Sequence, residues 1–293
     1  MNLKDYKLWT ALVTPFTPGL KVDFDSLAKL VKEQCDAKNG LLILGSTGEA
    51  LNIDLETRKS IVEFVIAQNP SSPIMIGVGG HELVAQQAWT KWLETKKIDS
   101  YLMVTPIYSK PNDHGQYLWF KTLMDEVSKP VMLYNVPSRA GTWLSLTAVK
   151  KLKDHKNYWG IKEAGGSVDK MKQYLAASGP ETIYCGDDGL LPDFVAAGAS
   201  GLISVASNTW PKETNLYVKK CLDKSFDAKE LWTTCANSLF CCSNPIPAKA
   251  LLYAEGRIAH NTMMPPLSEV DLKDLNLLKN SSARVRAWYE DKK

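Results

Sequence analysis

Residues 131–137 read Val-Met-Leu-Tyr-Asn-Val-Pro, a short apolar run that stops at an asparagine and a proline. Seven further runs rich in aliphatic and β-branched residues recur at spacings of 19 to 33 residues. Their hydrophobicity is nearly continuous rather than alternating, which is typical of strands buried on both faces of a parallel sheet. The eight runs begin near Ala11, Leu41, Ile74, Tyr101, Val131, Trp159, Ile183 and Leu202.

Segments with helical periodicity lie between these runs, and Asp25, Ser26 and Asp54 precede two of them as helix-start signals. Strand and helix alternating eight times predict an α/β protein with the (β/α)8 TIM-barrel fold. A doubly wound open sheet is the alternative. It is disfavoured because no Gly-x-Gly-x-x-Gly turn follows the first predicted strand.

The strand signal stops after Ser207, and the remainder of the chain is helical in pattern. Helices are predicted over residues 211–222, 226–242, 246–256 and 269–288, the first of them completing the eighth strand–helix unit. We therefore expect a catalytic barrel over residues 1–225 and a C-terminal helical appendage over residues 226–293.

Composition argues against several classes of protein. The 293 residues carry a net charge of +3 without a basic stripe interleaved with aromatics, so nucleic acid is not expected as a partner. Apolar runs such as residues 41–44 are too short to cross a membrane, and the first residues lack the apolar core of a signal peptide, so we expect a cytoplasmic protein. The six cysteines and four histidines show no metal-ligand spacing.

A (β/α)8 barrel presents its reactive groups at the carboxyl ends of its strands, and Lys162 lies there in the sixth run. An unpaired buried ammonium costs several kcal/mol, so a buried lysine tends to release its proton, and the neutral amine attacks carbonyl carbons. A salt bridge to Glu163 is the alternative. Neighbouring residues of a strand point to opposite faces, which makes that partner a poor one.

Other candidate groups follow neighbouring strands. Tyr134 ends the fifth run, where its hydroxyl could carry protons for chemistry at Lys162. Ser46 and Thr47 could bind a carboxylate together with loop amides, and Arg139 is suited to bidentate binding of a second carboxylate. Taken alone, Tyr134 could equally be a core aromatic and Arg139 a surface charge.

Three segments together are more specific than any of these residues. Residues 45–49 (Gly-Ser-Thr-Gly-Glu), 134–141 (Tyr-Asn-Val-Pro-Ser-Arg-Ala-Gly) and 160–164 (Gly-Ile-Lys-Glu-Ala) resemble the signature segments of the dihydrodipicolinate synthase and N-acetylneuraminate lyase superfamily. The resemblance continues through residues 104–106, 186–188, 203–205 and 244–249, and thus covers nearly the whole chain.

The resemblance implies a class I (Schiff-base) aldolase that uses no metal or organic cofactor. Lys162 would form an imine with pyruvate, and Tyr134 would donate and accept protons. Ser46 and Tyr108 would complete a hydroxyl relay with Tyr134. The family's members are usually homotetramers built from tight dimers, in which Tyr108 would cross the dimer interface into the neighbouring site.

It also implies the substrate contacts. Thr47, Gly186 and the backbone of Ile203 would hold pyruvate, and Arg139 would bind the carboxylate of the aldehyde substrate, L-aspartate 4-semialdehyde. The product would be 4-hydroxy-tetrahydrodipicolinate, on the route to lysine and diaminopimelate. Ser138 next to Arg139 resembles the synthases, whereas sialic acid lyases and sugar-acid aldolases, the alternative reading, usually carry apolar or small residues there. A non-catalytic binding barrel is a third possibility, which the combined set of candidate residues disfavours.

Two departures from the family pattern lead to expectations. Position 46 is usually threonine, and serine keeps the hydroxyl without the methyl that restricts χ1, so we expect a reduced but not abolished rate. The positions that would bind feedback lysine lack most of the polar groups that it needs, which predicts weak or absent inhibition by lysine. Those positions are Ile53, Glu56, His81, Ala85 and Ile107.

Overall fold

The computed structural model describes residues 2–293, and over that range eight parallel strands form one closed barrel in the order of the sequence. Helices lie between successive strands, so the predicted (β/α)8 fold with C-terminal helices is confirmed. The strands are β1 (Leu8–Ala11), β2 (Gly40–Ile43), β3 (Ile74–Val78), β4 (Ser100–Val104), β5 (Val131–Asn135), β6 (Tyr158–Glu163), β7 (Ile183–Cys185) and β8 (Gly201–Ser204).

The apolar runs become strands because their side chains are buried on both faces, and most strand residues are fully or nearly fully buried. The predicted position of β1 was wrong, since the strand ends at Ala11 rather than beginning there. Thr10 interrupts the apolar run in the sequence, yet it is a strand residue whose buried hydroxyl donates to Gln34 Oε1 at 2.7 Å. A β-branched residue with a satisfied hydroxyl fits a buried strand as well as an aliphatic one.

Thirteen α-helical segments occur in the described range. Asp54 caps one of them as predicted, by accepting the backbone N–H of Thr57, but the cap of the first helix is Asp23, not Asp25 or Ser26. The helices are α1 (Phe24–Asp36), α2 (Leu55–Ala67), α3 (Leu83–Leu93), α4 (Asp113–Asp125), α5 (Pro137–Ala140), α6 (Leu146–Leu152), α7 (Val168–Ser178), α8 (Leu191–Ala196), α9 (Ala206–Thr209), α10 (Pro211–Leu222), α11 (Lys229–Ser238), α12 (Ile246–Ala254) and α13 (Leu275–Lys292).

The C-terminal helices agree with the sequence in number but not always in extent. Helix α10 has the predicted bounds, whereas α11 is shorter than predicted at both ends. Helix α13 begins at Leu275, six residues after the predicted start, because Asp274 caps it by accepting the N–H groups of Asn276 and Leu277. Glu269–Asp271 instead form a short 3-10 helix.

Backbone contacts divide the chain into two units. The first unit comprises residues up to Pro73 together with Ser204–Lys293, and the second comprises Ile74–Ile203. The proposed boundary between residues 225 and 226 stays a prediction. In residues 2–293 no helix has both the length and the apolar character needed to cross a membrane.

Candidate active site

Lys162 and Tyr134 lie side by side in the second unit. They are register partners on the neighbouring strands β6 and β5, and the Lys162 Nζ lies 4.3 Å from the centroid of the Tyr134 ring. Lys162 is only 4% exposed and Tyr134 7% exposed. The sequence-based expectation of a buried amine beside a phenol therefore describes the geometry correctly.

Gly186 follows β7 and passes close to the lysine stem. A Cβ atom at this position would lie 3.1 Å from Lys162 Cε and 2.6 Å from the Ala164 Cβ. Glycine therefore avoids a steric clash with the lysine side chain and with Ala164. The next residue, Asp187, has its pKa raised to about 6 by burial and by the nearby Asp188, although the Lys162 ammonium opposes that shift. The second unit thus places a carboxyl group with a near-neutral pKa close to the amine.

Arg139 projects from α5, the single helical turn that follows β5. The turn begins at Pro137, whose missing N–H costs nothing at that position, and it ends at Gly141 in the left-handed conformation. Arg139 is exposed.

Glu163 points away from Lys162, as the alternation of side chains along a strand requires. Its carboxylate accepts from Asn135 Nδ2 at 2.7 Å and from the Gly165 N–H at 2.9 Å. Burial raises the pKa of Glu163 to about 7 in spite of those two donors. The salt bridge between Lys162 and Glu163, which the sequence left open, does not form.

The other candidates of the second unit differ in exposure. Ile203 is fully buried on β8, and Tyr108 is 88% exposed with a φ of +67°, an unusual conformation for a tyrosine. Cys185 ends β7 with its thiol fully buried and directed at the Asp187 carbonyl oxygen, and burial raises its pKa well above the usual value. That thiol is therefore shielded from reagents.

The first unit holds the hydroxyl-bearing loop that follows β2. Thr47 is buried, and its Oγ1 accepts a hydrogen bond from Asn244 Nδ2 at 2.9 Å; Ser46 is partly exposed. The Gly48 carbonyl accepts from the Thr14 hydroxyl at 2.8 Å. The loop is thus held from two sides, which orients the Thr47 side chain.

Glu49 ends this loop in a left-handed conformation, with a φ of +55°. Its Oε1 lies 2.6 Å from Lys249 Nζ, its Oε2 accepts the Met264 N–H at 2.7 Å, and both charged side chains are fully buried. Burial raises the pKa of Glu49 and lowers that of Lys249, while the attraction between the two charges opposes both shifts.

Sequence reasoning assigned no role to Asn135, Asn244 or Lys249, and it considered Glu163 only as a salt-bridge partner of Lys162. These residues contact the candidate groups or their neighbours. All four lie in segments already noted for their resemblance to the superfamily, which was the available signal.

A sequence model of the Dihydrodipicolinate synthetase family matches residues 4–283. The chain is 41% identical to a 4-hydroxy-tetrahydrodipicolinate synthase of Wolbachia pipientis subsp. Culex pipiens, over 98% of this chain and 99% of that protein. It is 42% identical to the synthase of Francisella philomiragia, over 97% of both chains.

Solved structures agree. The 4-hydroxy-tetrahydrodipicolinate synthase of Methylacidiphilum fumariolicum SolV is 31% identical, covers 96% of each chain and superposes with a TM-score of 0.90. The dihydrodipicolinate synthase DapA-2 of Bacillus anthracis is 29% identical over 95% of this chain and 97% of its own, with a TM-score of 0.86.

Proposed function

Since the chain belongs to the dihydrodipicolinate synthetase family, we propose that Lys162 and Tyr134 carry out the family's reaction in it. The protein is a lyase that condenses pyruvate with L-aspartate 4-semialdehyde to 4-hydroxy-tetrahydrodipicolinate in lysine biosynthesis. The observation that supports the two roles is the buried amine of Lys162 lying 4.3 Å from the Tyr134 ring.

The reaction begins when Lys162 has released its proton and the neutral amine attacks C2 of pyruvate. The carbinolamine that forms takes up a proton on its hydroxyl and loses water, which leaves a protonated imine between Nζ and C2. That imine withdraws electrons, so a proton leaves C3 and an enamine results. Tyr134, at the end of the neighbouring strand, is the group that we assign to these proton transfers, with Ser46 and Tyr108 as its relay.

The enamine C3 then attacks the aldehyde carbon of the semialdehyde, and the aldehyde oxygen takes a proton to become the product hydroxyl. The imine with Lys162 is restored at this point. The amino group of the bound semialdehyde next attacks C2 and displaces the Lys162 amine, which closes the ring and frees the enzyme. One water is lost overall, in the dehydration of the carbinolamine.

Substrate contacts follow from the same assignment. Thr47 and the Ile203 backbone are proposed to bind the pyruvate carboxylate, and Gly186 leaves the space that the imine needs. Arg139, exposed on α5, is proposed to bind the carboxylate of the semialdehyde as a planar fork. A sialic acid or sugar-acid lyase is not favoured, because its polyhydroxy aldehyde needs hydroxyl-binding groups rather than a cation.

We also propose a homotetramer of two tight dimers, acting in the cytoplasm, with Tyr108 completing the partner's site. The exposure of Tyr108, an aromatic at 88% of its full accessibility, supports an interface there. One similar structure, 28% identical with a TM-score of 0.89, is described as the first monomeric dihydrodipicolinate synthase variant. Sedimentation velocity of this protein, with Tyr108→Ala as the comparison, tests the assembly.

Borohydride reduction in the presence of pyruvate tests the chemical assignment. Reduction converts the imine to a stable secondary amine, and mass spectrometry of the peptide that contains Lys162 should find the pyruvate-derived adduct there. Lys162→Met should give none. An adduct on another lysine, or no adduct in the wild-type protein, would overturn the proposed mechanism.

A further inference from the structure

Asn135 and Glu163 follow Tyr134 and Lys162 directly, and they face each other as register partners. Since successive side chains alternate, this pair lies on the opposite side of β5 and β6 from the tyrosine and the lysine. Both residues are fully buried, and the Asn135 Nδ2 donates to Glu163 Oε2 at 2.7 Å. A side-chain hydrogen bond therefore joins the two strands one residue beyond the reacting pair.

Two further bonds extend this pair into the loops. The Leu144 N–H donates to Asn135 Oδ1 at 2.8 Å, and the Gly165 N–H donates to Glu163 Oε1 at 2.9 Å. Leu144 closes the segment that starts after Asn135 and carries Arg139. The Asn135 side chain thus contacts both the strand of Lys162 and the end of the arginine-bearing segment.

The donors and acceptors of this network are fixed. The Leu144 N–H requires the amide oxygen of Asn135 on its side, which directs the amide nitrogen toward Glu163. Glu163 then receives a donor on each oxygen, an arrangement that the ionised carboxylate satisfies without any donor of its own. A glutamine at position 163 would place its own amide N–H against one of these donors.

We propose that Asn135 and Glu163 are positioning residues, whose interstrand hydrogen bond fixes Tyr134 and Lys162 at their reacting separation and holds the Arg139 segment in place. The inference rests on the proposed function, since it assumes that the amine and the phenol react together. Neither side chain touches the substrate. They act through the backbone of the two strands, because Asn135 is the next residue after Tyr134 and Glu163 is the next residue after Lys162.

The expected effect is on the chemical steps rather than on folding. A displacement of about 1 Å between reacting groups can cost about 10²-fold in rate. Glu163→Gln, nearly identical in shape, should therefore slow formation of the reducible pyruvate adduct at saturating pyruvate by about 10- to 100-fold, with kcat falling in parallel.

A rescue variant distinguishes positioning from mere packing. In Asn135→Asp/Glu163→Gln the new carboxylate accepts from Leu144 N–H and from the new amide, whose oxygen accepts from Gly165 N–H. Every hydrogen bond is restored with the charge moved to the other strand. We expect adduct formation and kcat to return to within about 5-fold of the wild type, since the reacting groups regain their separation.

Tyr158→Phe is the matched control. It removes a part-buried hydrogen bond between the Tyr158 hydroxyl and Ser178 Oγ, which are 2.5 Å apart, at the opposite end of the same strand. Its adduct rate should stay within about 2-fold of the wild type, because the reacting groups lie far along the strand. Should Glu163→Gln fail to fold, Asn135→Ser is the alternative test variant, because it removes the same hydrogen bond by changing the residue on the other strand.

Three outcomes would overturn the inference. Glu163→Gln could trap pyruvate as fast as the wild type, the rescue variant could be as slow as Glu163→Gln, or Tyr158→Phe could be equally impaired. In each of these the wild-type protein still forms its adduct on Lys162, so the proposed function stands. A wild type without that adduct would overturn both proposals.

Discussion

Lys249 Nζ lies 2.6 Å from Glu49 Oε1, and both side chains are fully buried in the first unit. The pair ends the loop that carries Ser46 and Thr47, so we expect it to stabilise that loop. Removing one partner of a buried ion pair leaves an uncompensated charge and costs about 3–5 kcal/mol. Lys249→Met should therefore lower the free energy of unfolding by about that amount in urea titrations.

The double variant Glu49→Gln/Lys249→Met is the control for this prediction. It removes both charges and keeps an oxygen for the Met264 N–H, so it should recover much of the lost stability. If the double variant were no more stable than Lys249→Met, the loss would come from packing around Phe16, whose ring centroid lies 4.6 Å from Lys249 Nζ, and not from the charge.

The barrel was predictable because its strands are buried on both faces, which leaves an unmistakable pattern of apolar runs. The ends of the strands and helices were harder to predict. The polar residue Thr10 led to a wrong start for β1 in the sequence analysis, because its hydroxyl gains its hydrogen-bond partner, Gln34, only in the folded protein. The start of α13 depended on Asp274 accepting two backbone N–H groups, contacts that the helical pattern of the sequence does not reveal.

The candidate site also has parts that the sequence predicted and parts that it did not. The position of Lys162 beside Tyr134 was predictable, because a lysine inside a buried strand is unusual and a tyrosine lies at the end of the preceding strand. Asn135 and Glu163 were not assigned a role, since an amide and a carboxylate become informative only when the register of β5 and β6 is known.

Tyr134→Phe should lower kcat by about 10²–10³-fold, because the phenol carries protons at several steps while the ring only packs. The pyruvate adduct on Lys162 should still form, more slowly, since the ring beneath the amine is retained. Tyr101→Phe, which removes a hydroxyl bonded to Glu94, is the control and should leave kcat nearly unchanged. A variant at position 134 with wild-type kcat would exclude the proton-carrying role.

Arg139→Ala should raise the KM for the semialdehyde by about 10- to 100-fold, the loss expected for one charge-assisted pair. Trapping of pyruvate at Lys162 should be unaffected, because pyruvate is assigned other contacts. Arg139→Lys keeps the positive charge but loses the planar guanidinium that binds a carboxylate through two hydrogen bonds. Its KM for the semialdehyde should therefore lie between those of the wild type and Arg139→Ala. Steady-state kinetics with each substrate varied would check this; equal weakening for both substrates would contradict it.

Lysine should inhibit the enzyme weakly or not at all. The positions assigned to a feedback site carry Ile53, Ala85 and Ile107, which offer no side-chain partner for an amino acid's charged groups. Initial rates at about millimolar lysine should match those without it, since buried charges without partners bind poorly. An inhibition constant well below a millimolar would refute the prediction.

Glu163 should make the protein less stable as pH rises through the weakly acidic range. Its pKa is about 7 in the folded protein against a usual 4.5, so the folded state binds more protons than the unfolded state between those values. Stability from this group is fully present below the unfolded pKa and is lost as pH rises toward 7. The difference corresponds to at most about 3 kcal/mol.

Comparing the wild type with Glu163→Gln isolates this contribution. Groups remote from Glu163 titrate equally in both proteins, so the difference reports Glu163 together with its coupling to the neighbours that interact with it, Asp187, Lys170 and Tyr174. We expect urea-derived unfolding free energies of the wild type to fall more steeply than those of the variant between pH 4.5 and 7. The variant's lost hydrogen bond shifts its curve by a constant and leaves the slope unaffected. Parallel curves would mean that Glu163 keeps an ordinary pKa in spite of its burial, so that its two donors stabilise the carboxylate as well as water does.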